Sequence, residues 1–105
     1  MICKELNHLA DWNNLWNSDS KYIVFKHSTR CSISLTAWNK FQRNWEDSCN
    51  TPVYLLDLLN FREISNAISS DTGVMHESPQ CLLIQNKQVL VQATHSGIYA
   101  EEFLV

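Results

Sequence analysis

The sequence lacks any apolar run near the roughly 20 residues a membrane-spanning helix requires. Its longest, Tyr22 to Phe25 and Val53 to Leu56, fall far short, so no membrane partner is expected. A basic excess is also missing. Lys and Arg number 8 against 11 Asp and Glu, giving a formal net charge of -3 and an isoelectric point near 5.7. That balance is the wrong sign for a general phosphate-binding surface and argues against nucleic acid as a partner. Met1-Ile2-Cys3-Lys4-Glu5 shows no basic segment followed by an apolar one, so no secretory leader is expected and a cytoplasmic location follows. The cysteines at 3, 31, 49 and 81 are irregularly spaced, with neither a C-x-x-C pair nor an H-x-x-x-H pair among the motifs. Zinc-type spacings are thus absent, no metal site is expected, and the cysteines read as thiols in a reducing compartment. Repeats, linkers and low-complexity tracts are missing as well.

What is present fits a folded chain. At 105 residues, with 45% hydrophobic, 10% aromatic and 18% charged residues, the composition predicts one domain spanning 1–105 around a single core. Leu6, Leu9, Trp12, Leu15 and Trp16 recur at steps of three and four, predicting an amphipathic helix over 4–16. The unalternating run Lys21 to Lys26 predicts a strand covered on both faces. Ile33, Ala37, Trp38, Phe41 and Trp45 predict a helix to about residue 47. Val53 to Leu58 predicts a second buried strand, and Asn60 with Glu63 resembles a capping box for a helix that Gly73 ends. Cys81 to Ile84 and Val89 to Val91, separated by Asn86-Lys87, predict an antiparallel hairpin, with a short terminal helix after Ser96-Gly97. The four tryptophans fall at helical spacings and are expected in the core.

This order predicts an α/β domain with a mixed sheet of about four strands flanked by helices. It is the element order of a thioredoxin-like fold whose first strand is absent or vestigial. Cys31 then lies where the central strand meets the second helix, within Lys26-His27-Ser28-Thr29-Arg30-Cys31-Ser32-Ile33-Ser34. At such a junction the unpaired N–H groups and the helix dipole favour a thiolate, the form in which cysteine attacks. Lys26, Arg30 and a protonated His27 are expected to add to that field.

Phe25 to Ser34, Arg62 to Ile68 and Val74-Met75-His76-Glu77-Ser78-Pro79-Gln80, with Thr94 to Ile98 as a weaker piece, resemble the monothiol bacilliredoxins of the thioredoxin superfamily. The resemblance covers roughly residues 4 to 100. It implies a thioredoxin fold, one redox cysteine, and exchange between protein thiols and bacillithiol, a low-molecular-weight thiol that serves as co-substrate with no bound cofactor. Carried onto this sequence, Cys31 is the active cysteine and Pro79 the cis-proline facing it. One position departs from the family. Ser32 stands where the family commonly has proline, which loosens the helix start, places a hydroxyl near the sulfur and implies a changed reduction potential.

A dithiol enzyme resolves its mixed disulfide with a second cysteine one helical turn on. Here that place is Ser34, so the product of attack waits for an external thiol. Exchange is assigned to Cys31, Ser34 and Pro79. Lys26, His27, Thr29, Arg30, Ser32, Glu77 and Ser78 are assigned to substrate binding, with Arg30 suited to the malate carboxylates of bacillithiol. The expected partners are bacillithiolated or otherwise oxidised proteins, which would pair with the free backbone of Ser78 as an extended segment. Cys81 reads as packing inside an apolar strand, and His76 and His95 as hydrogen-bonded structural groups, with a place lining the groove near Pro79 open to either. Two other functions stay open at this level: a redox-inert thioredoxin-like adaptor, and an iron–sulfur carrier that uses Cys31 with an external thiol.

Overall fold

In the computed structural model, residues 1–104 are described; Val105, at the end of the expected domain, lies outside the described residues. Five strands form one sheet in the order β1-β3-β2-β4-β5. β1 (Cys3–Glu5), β2 (Tyr22–His27) and β3 (Val53–Asp57) run parallel, while β4 (Gln80–Gln85) and β5 (Gln88–Thr94) complete the sheet antiparallel. Between them stand α1 (Leu9–Trp16), α2 (Ser32–Arg43) and α3 (Arg62–Thr72), and two short 3-10 turns, His95–Gly97 and Ala100–Phe103, replace the predicted terminal helix. The architecture is the expected thioredoxin-like one, with five strands where about four were predicted.

β2 is central and buried at every position, as its unalternating apolar run requires. Its two faces feed two cores. Ile23 and Phe25 pack with Trp38, Phe41 and Phe103 beneath α2, whereas Tyr22 and Val24 pack with Trp12, Ile64 and Ile68 beneath α1 and α3. Rings meet at steep angles in the first core, with Phe25 4.9 Å from Trp38 and 5.3 Å from Phe41 between centroids, so that aromatic area supplies much of its apolar burial.

Three further predictions are corrected. The first helix begins at Leu9, because Cys3 to Glu5 are taken up as a parallel partner of Val53 to Leu55. An eight-residue helix is too short to persist alone. Packing holds it: Trp12 is fully buried and its Nε1–H donates to Asp71 Oδ2 on α3 at 2.8 Å. The capping box at Asn60 does not form, since its Nδ2 donates to Asp57 Oδ2 at 2.7 Å and Phe61 becomes the N-cap without a side-chain bond. Finally, α2 stops at Arg43, and Trp45 reaches the core from beyond the helix.

Two termini follow the sequence closely. Gly73 closes α3 with φ +73°, and Asn86 and Lys87 take φ 53° and 61°, the left-handed pair of a tight hairpin turn between β4 and β5. No helix among the described residues is long and apolar enough to cross a membrane.

Candidate active site

The polar end of β2 divides between the two sheet faces. Side chains alternate along a strand, so Lys26 continues the face beneath α3 and His27 the face beneath α2. Each finds a partner there. Lys26 Nζ donates to the Ser65 carbonyl of α3 at 3.2 Å, and His27 Nδ1 lies 2.7 Å from Ser34 Oγ of α2. The same hydroxyl accepts the Ser28 backbone N–H at 2.9 Å. The chain leaving the sheet is therefore tied to the helix by Ser34 before it reaches Cys31.

Cys31 is the N-cap of α2, half-exposed, with extended backbone. Its carbonyl accepts Leu35 N–H at 3.0 Å and its own N–H donates to Ser28 O at 3.2 Å, so the turn is closed on both sides by main-chain bonds. The thiol thus stands at the mouth of the helix dipole, as the sequence predicted. Its surroundings differ from the prediction in one respect. Lys26 and His27 do not lend charge to the sulfur's side of the turn as solvated groups: both are buried, with Lys26 Nζ committed to Ser65 and His76 and His27 Nδ1 to Ser34. Burial pushes Lys26 down to about 8 and lowers His27, with Asp57 opposing the latter. The histidine is held toward its neutral form.

The other assigned residues spread around the thiol. Thr29 and Arg30 are exposed and line a polar hollow with Leu59 and Asn60. Ser32 is exposed on the opposite flank, where a mostly apolar groove runs past Ile33, Thr36 and Ala37 to His95. The register pairs Lys26 with Gln80, so the Glu77-Ser78-Pro79 loop lies beside the end of β2. The Ser78–Pro79 peptide is cis, as the resemblance implies. Glu77 and Ser78 are half-buried and Pro79 is buried, its carbonyl accepting His95 N–H at 3.0 Å. Glu77 Oε2 lies 3.8 Å from His95 Nε2, and Gln80 Nε2 donates to Met75 O at 3.0 Å, bracing the loop at both ends.

Ser34 is fully buried and its oxygen is engaged by two partners. It positions the turn and does not face solvent. Sequence spacing placed it beside the thiol but could not show the pairing with His27, which needs the helix packed on the sheet. His76 was read chiefly as a structural group that could also line the groove near Pro79, and its contact with Lys26 had no local signal. Cys81 is fully buried with its thiol pushed well up by burial, and no group of three potential metal ligands occurs among the described residues.

Solved structures share this fold. A protein with a thioredoxin fold aligns with a TM-score of 0.83 at 25% identity, covering 95% of this chain and 88% of that one. The reduced thioredoxin of Schistosoma mansoni aligns at 0.70 and 14%, covering 91% and 88%, and the thioredoxin of Malassezia sympodialis at 0.69 and 11%, covering 95% and 83%; these two speak for the fold alone. A family model described as monothiol bacilliredoxin BrxC matches residues 4–103, and the chain belongs to that family of thioredoxin-like oxidoreductases.

Proposed function

We propose that the protein is a cytoplasmic monothiol exchange enzyme that removes bacillithiol, or a similar low-molecular-weight thiol, from oxidised proteins. The Cys31 thiolate attacks the small-thiol sulfur of a mixed disulfide. A bond forms between Cys31 Sγ and that sulfur, the original S–S bond breaks, and the substrate protein leaves as a thiolate. A second molecule of the small thiol then attacks the sulfur carried by Cys31, restoring the free cysteine and leaving as a symmetric disulfide. No metal or bound cofactor takes part.

The observation that carries this reading is the pairing of a half-exposed Cys31 with a buried Ser34 at the resolving position. With its hydroxyl shared between His27 and Ser28, Ser34 offers no sulfur to close an internal disulfide. The enzyme therefore hands its cargo to a thiol from outside. Around Cys31, Arg30 and Thr29 offer a polar side for the carboxylates of bacillithiol, and a guanidinium fork suits them. Ser32, Glu77 and Ser78 border the path of an extended protein segment, which would pair with the Ser78 backbone in strand-like fashion.

Intact-mass analysis tests the reading. Reduced protein offered bacillithiol, glutathione and coenzyme A disulfides side by side should gain one bacillithiol preferentially at Cys31, releasing the other half as a thiol, and Cys31→Ser should not gain it. An unchanged adduct on that variant would sink the assignment.

A further inference from the structure

Lys26 is fully buried, and no carboxylate pairs with it among the described residues. Its ammonium instead donates to the Ser65 carbonyl and lies 3.3 Å from His76 Nδ1, which Ser65 Oγ also approaches at 3.1 Å. Below its folded pKa of about 8 the Lys26 ammonium has donors only, so there the Nδ1 that it meets accepts. The imidazole proton is then on Nε2. The ring is half-buried, and its Nδ1 edge is the one turned inward to Lys26 and Ser65, which leaves Nε2–H as the outer edge.

His76 also sits in a chosen place. It precedes Pro79 by three residues in the loop braced by Gln80 and His95, beside the strand end that leads to Cys31. The charged groups facing it are Lys26 from β2 and Arg62 from α3, both lowering its pKa along with burial, and Glu77 from its own loop, which acts the other way. Two cations stand against one anion, and that anion lies 3.8 Å from His95 Nε2.

We propose that His76, aimed by Lys26 and Ser65, presents its Nε2–H as a recognition donor for a carboxylate on the small thiol carried by Cys31. The inference rests on the exchange reading above and adds to it a residue that sets which thiol is preferred. Lys26 and Ser65 act through His76 and are positioning residues. A hydrogen bond to a charged acceptor of this kind contributes on the order of a tenfold preference for a carboxylated thiol over an uncharged one.

A peptide cysteine capped with mercaptosuccinate, which has two carboxylates, is compared with the same peptide capped with mercaptoethanol, which has none. His76→Phe should lower the ratio of kcat/KM for the two caps about tenfold, His76→Gln should recover part of it through its amide donor, and Lys26→Met should lower it in the same direction. In the wild-type protein, long-range 15N NMR should find the His76 proton on Nε2, and mercaptosuccinate attached at Cys31 should shift that nitrogen. An unchanged ratio in His76→Phe, or a proton on Nδ1, would overturn the inference. Failure of the wild-type protein to remove either cap would strike the exchange reading instead.

Discussion

Ser34 Oγ lies 2.7 Å from His27 Nδ1 with neither residue reaching solvent, and this bond joins the end of the central strand to the first turn of the helix that Cys31 opens. The resolving position of a dithiol enzyme is thus filled by a group that holds the turn. Substituting it separates positioning from chemistry. Ser34→Ala leaves the Ser28 N–H and the buried imidazole nitrogen without their partner, and an unmatched buried polar group costs about 1–3 kcal/mol. Urea unfolding should show a lower midpoint with an unchanged slope, and Cys31 should still form its mixed disulfide in the folded protein.

Lys26 makes stability depend on alkaline pH. Its folded pKa of about 8 lies below the ordinary value of 10.5. Between the two, the unfolded chain binds a proton that the folded protein does not, so stability rises with pH through this window and the cost of burying the charge is complete below it. The slope contributed by this one group approaches about 1.4 kcal/mol per pH unit. Burial of the Cys81 thiol acts in the opposite direction over part of the same range. Urea unfolding of the wild type and of Lys26→Met at pH 7, 8.5 and 10 isolates the lysine. The variant should gain less stability over this range.

The acid side has its own signature in the two buried-edge histidines. His27 and His76 are both lowered, chiefly by burial, so the unfolded chain takes up protons near the ordinary histidine pKa while the folded protein resists them. Stability should therefore fall as pH drops below about 6.5, by up to roughly 1.4 kcal/mol per pH unit for each ring. Thermal or urea midpoints at pH 7.5 and 5.5 check the fall, and His27→Asn should reduce it.

Cysteine alkylation should sort the four thiols by position. Cys81 has no exposed surface, whereas Cys31 and Cys49 are half-exposed and Cys3 is exposed. Labelling of Cys81 has to wait for unfolding, and with the marginal stability of a typical domain this means at least about a thousandfold slower modification than at an open site. Mass mapping of iodoacetamide adducts with and without denaturant reads the difference. Native labelling of Cys81 at the rate of Cys49 would contradict its burial.

Lys87 offers a stabilising change. It holds φ 61° in the hairpin turn next to Asn86 at 53°, a region that costs a side chain with a Cβ about 1 kcal/mol. Lys87→Gly should raise the unfolding midpoint by a corresponding amount, read by thermal denaturation, with Cys31 labelling unaffected.

Local order was legible wherever one stretch of chain decided it. The apolar run of β2, the helical recurrence of Ala37, Trp38 and Phe41, the Gly73 stop and the Asn86-Lys87 turn all act through neighbouring residues and were read with little error. Errors arose where a distant partner competed. Glu5 and its neighbours had a helical pattern to join, but the edge of β3 offered main-chain hydrogen bonds. Asn60 had a helix to cap, but Asp57 offered its carboxylate.

By itself the sequence determined the central strands and helices, the place of Cys31 at a strand-to-helix junction and the absence of a second thiol one turn on, because these depend on residue order and backbone period alone. Tertiary structure decided what the flanking polar residues do. Lys26 and His27 are adjacent in the chain and alike in suggesting surface charge, yet the alternation of β2 sends one beneath α3 to Ser65 and His76 and the other beneath α2 to Ser34. Only when both faces of the sheet are covered does burial remove water from these groups, and only then must each find a protein partner.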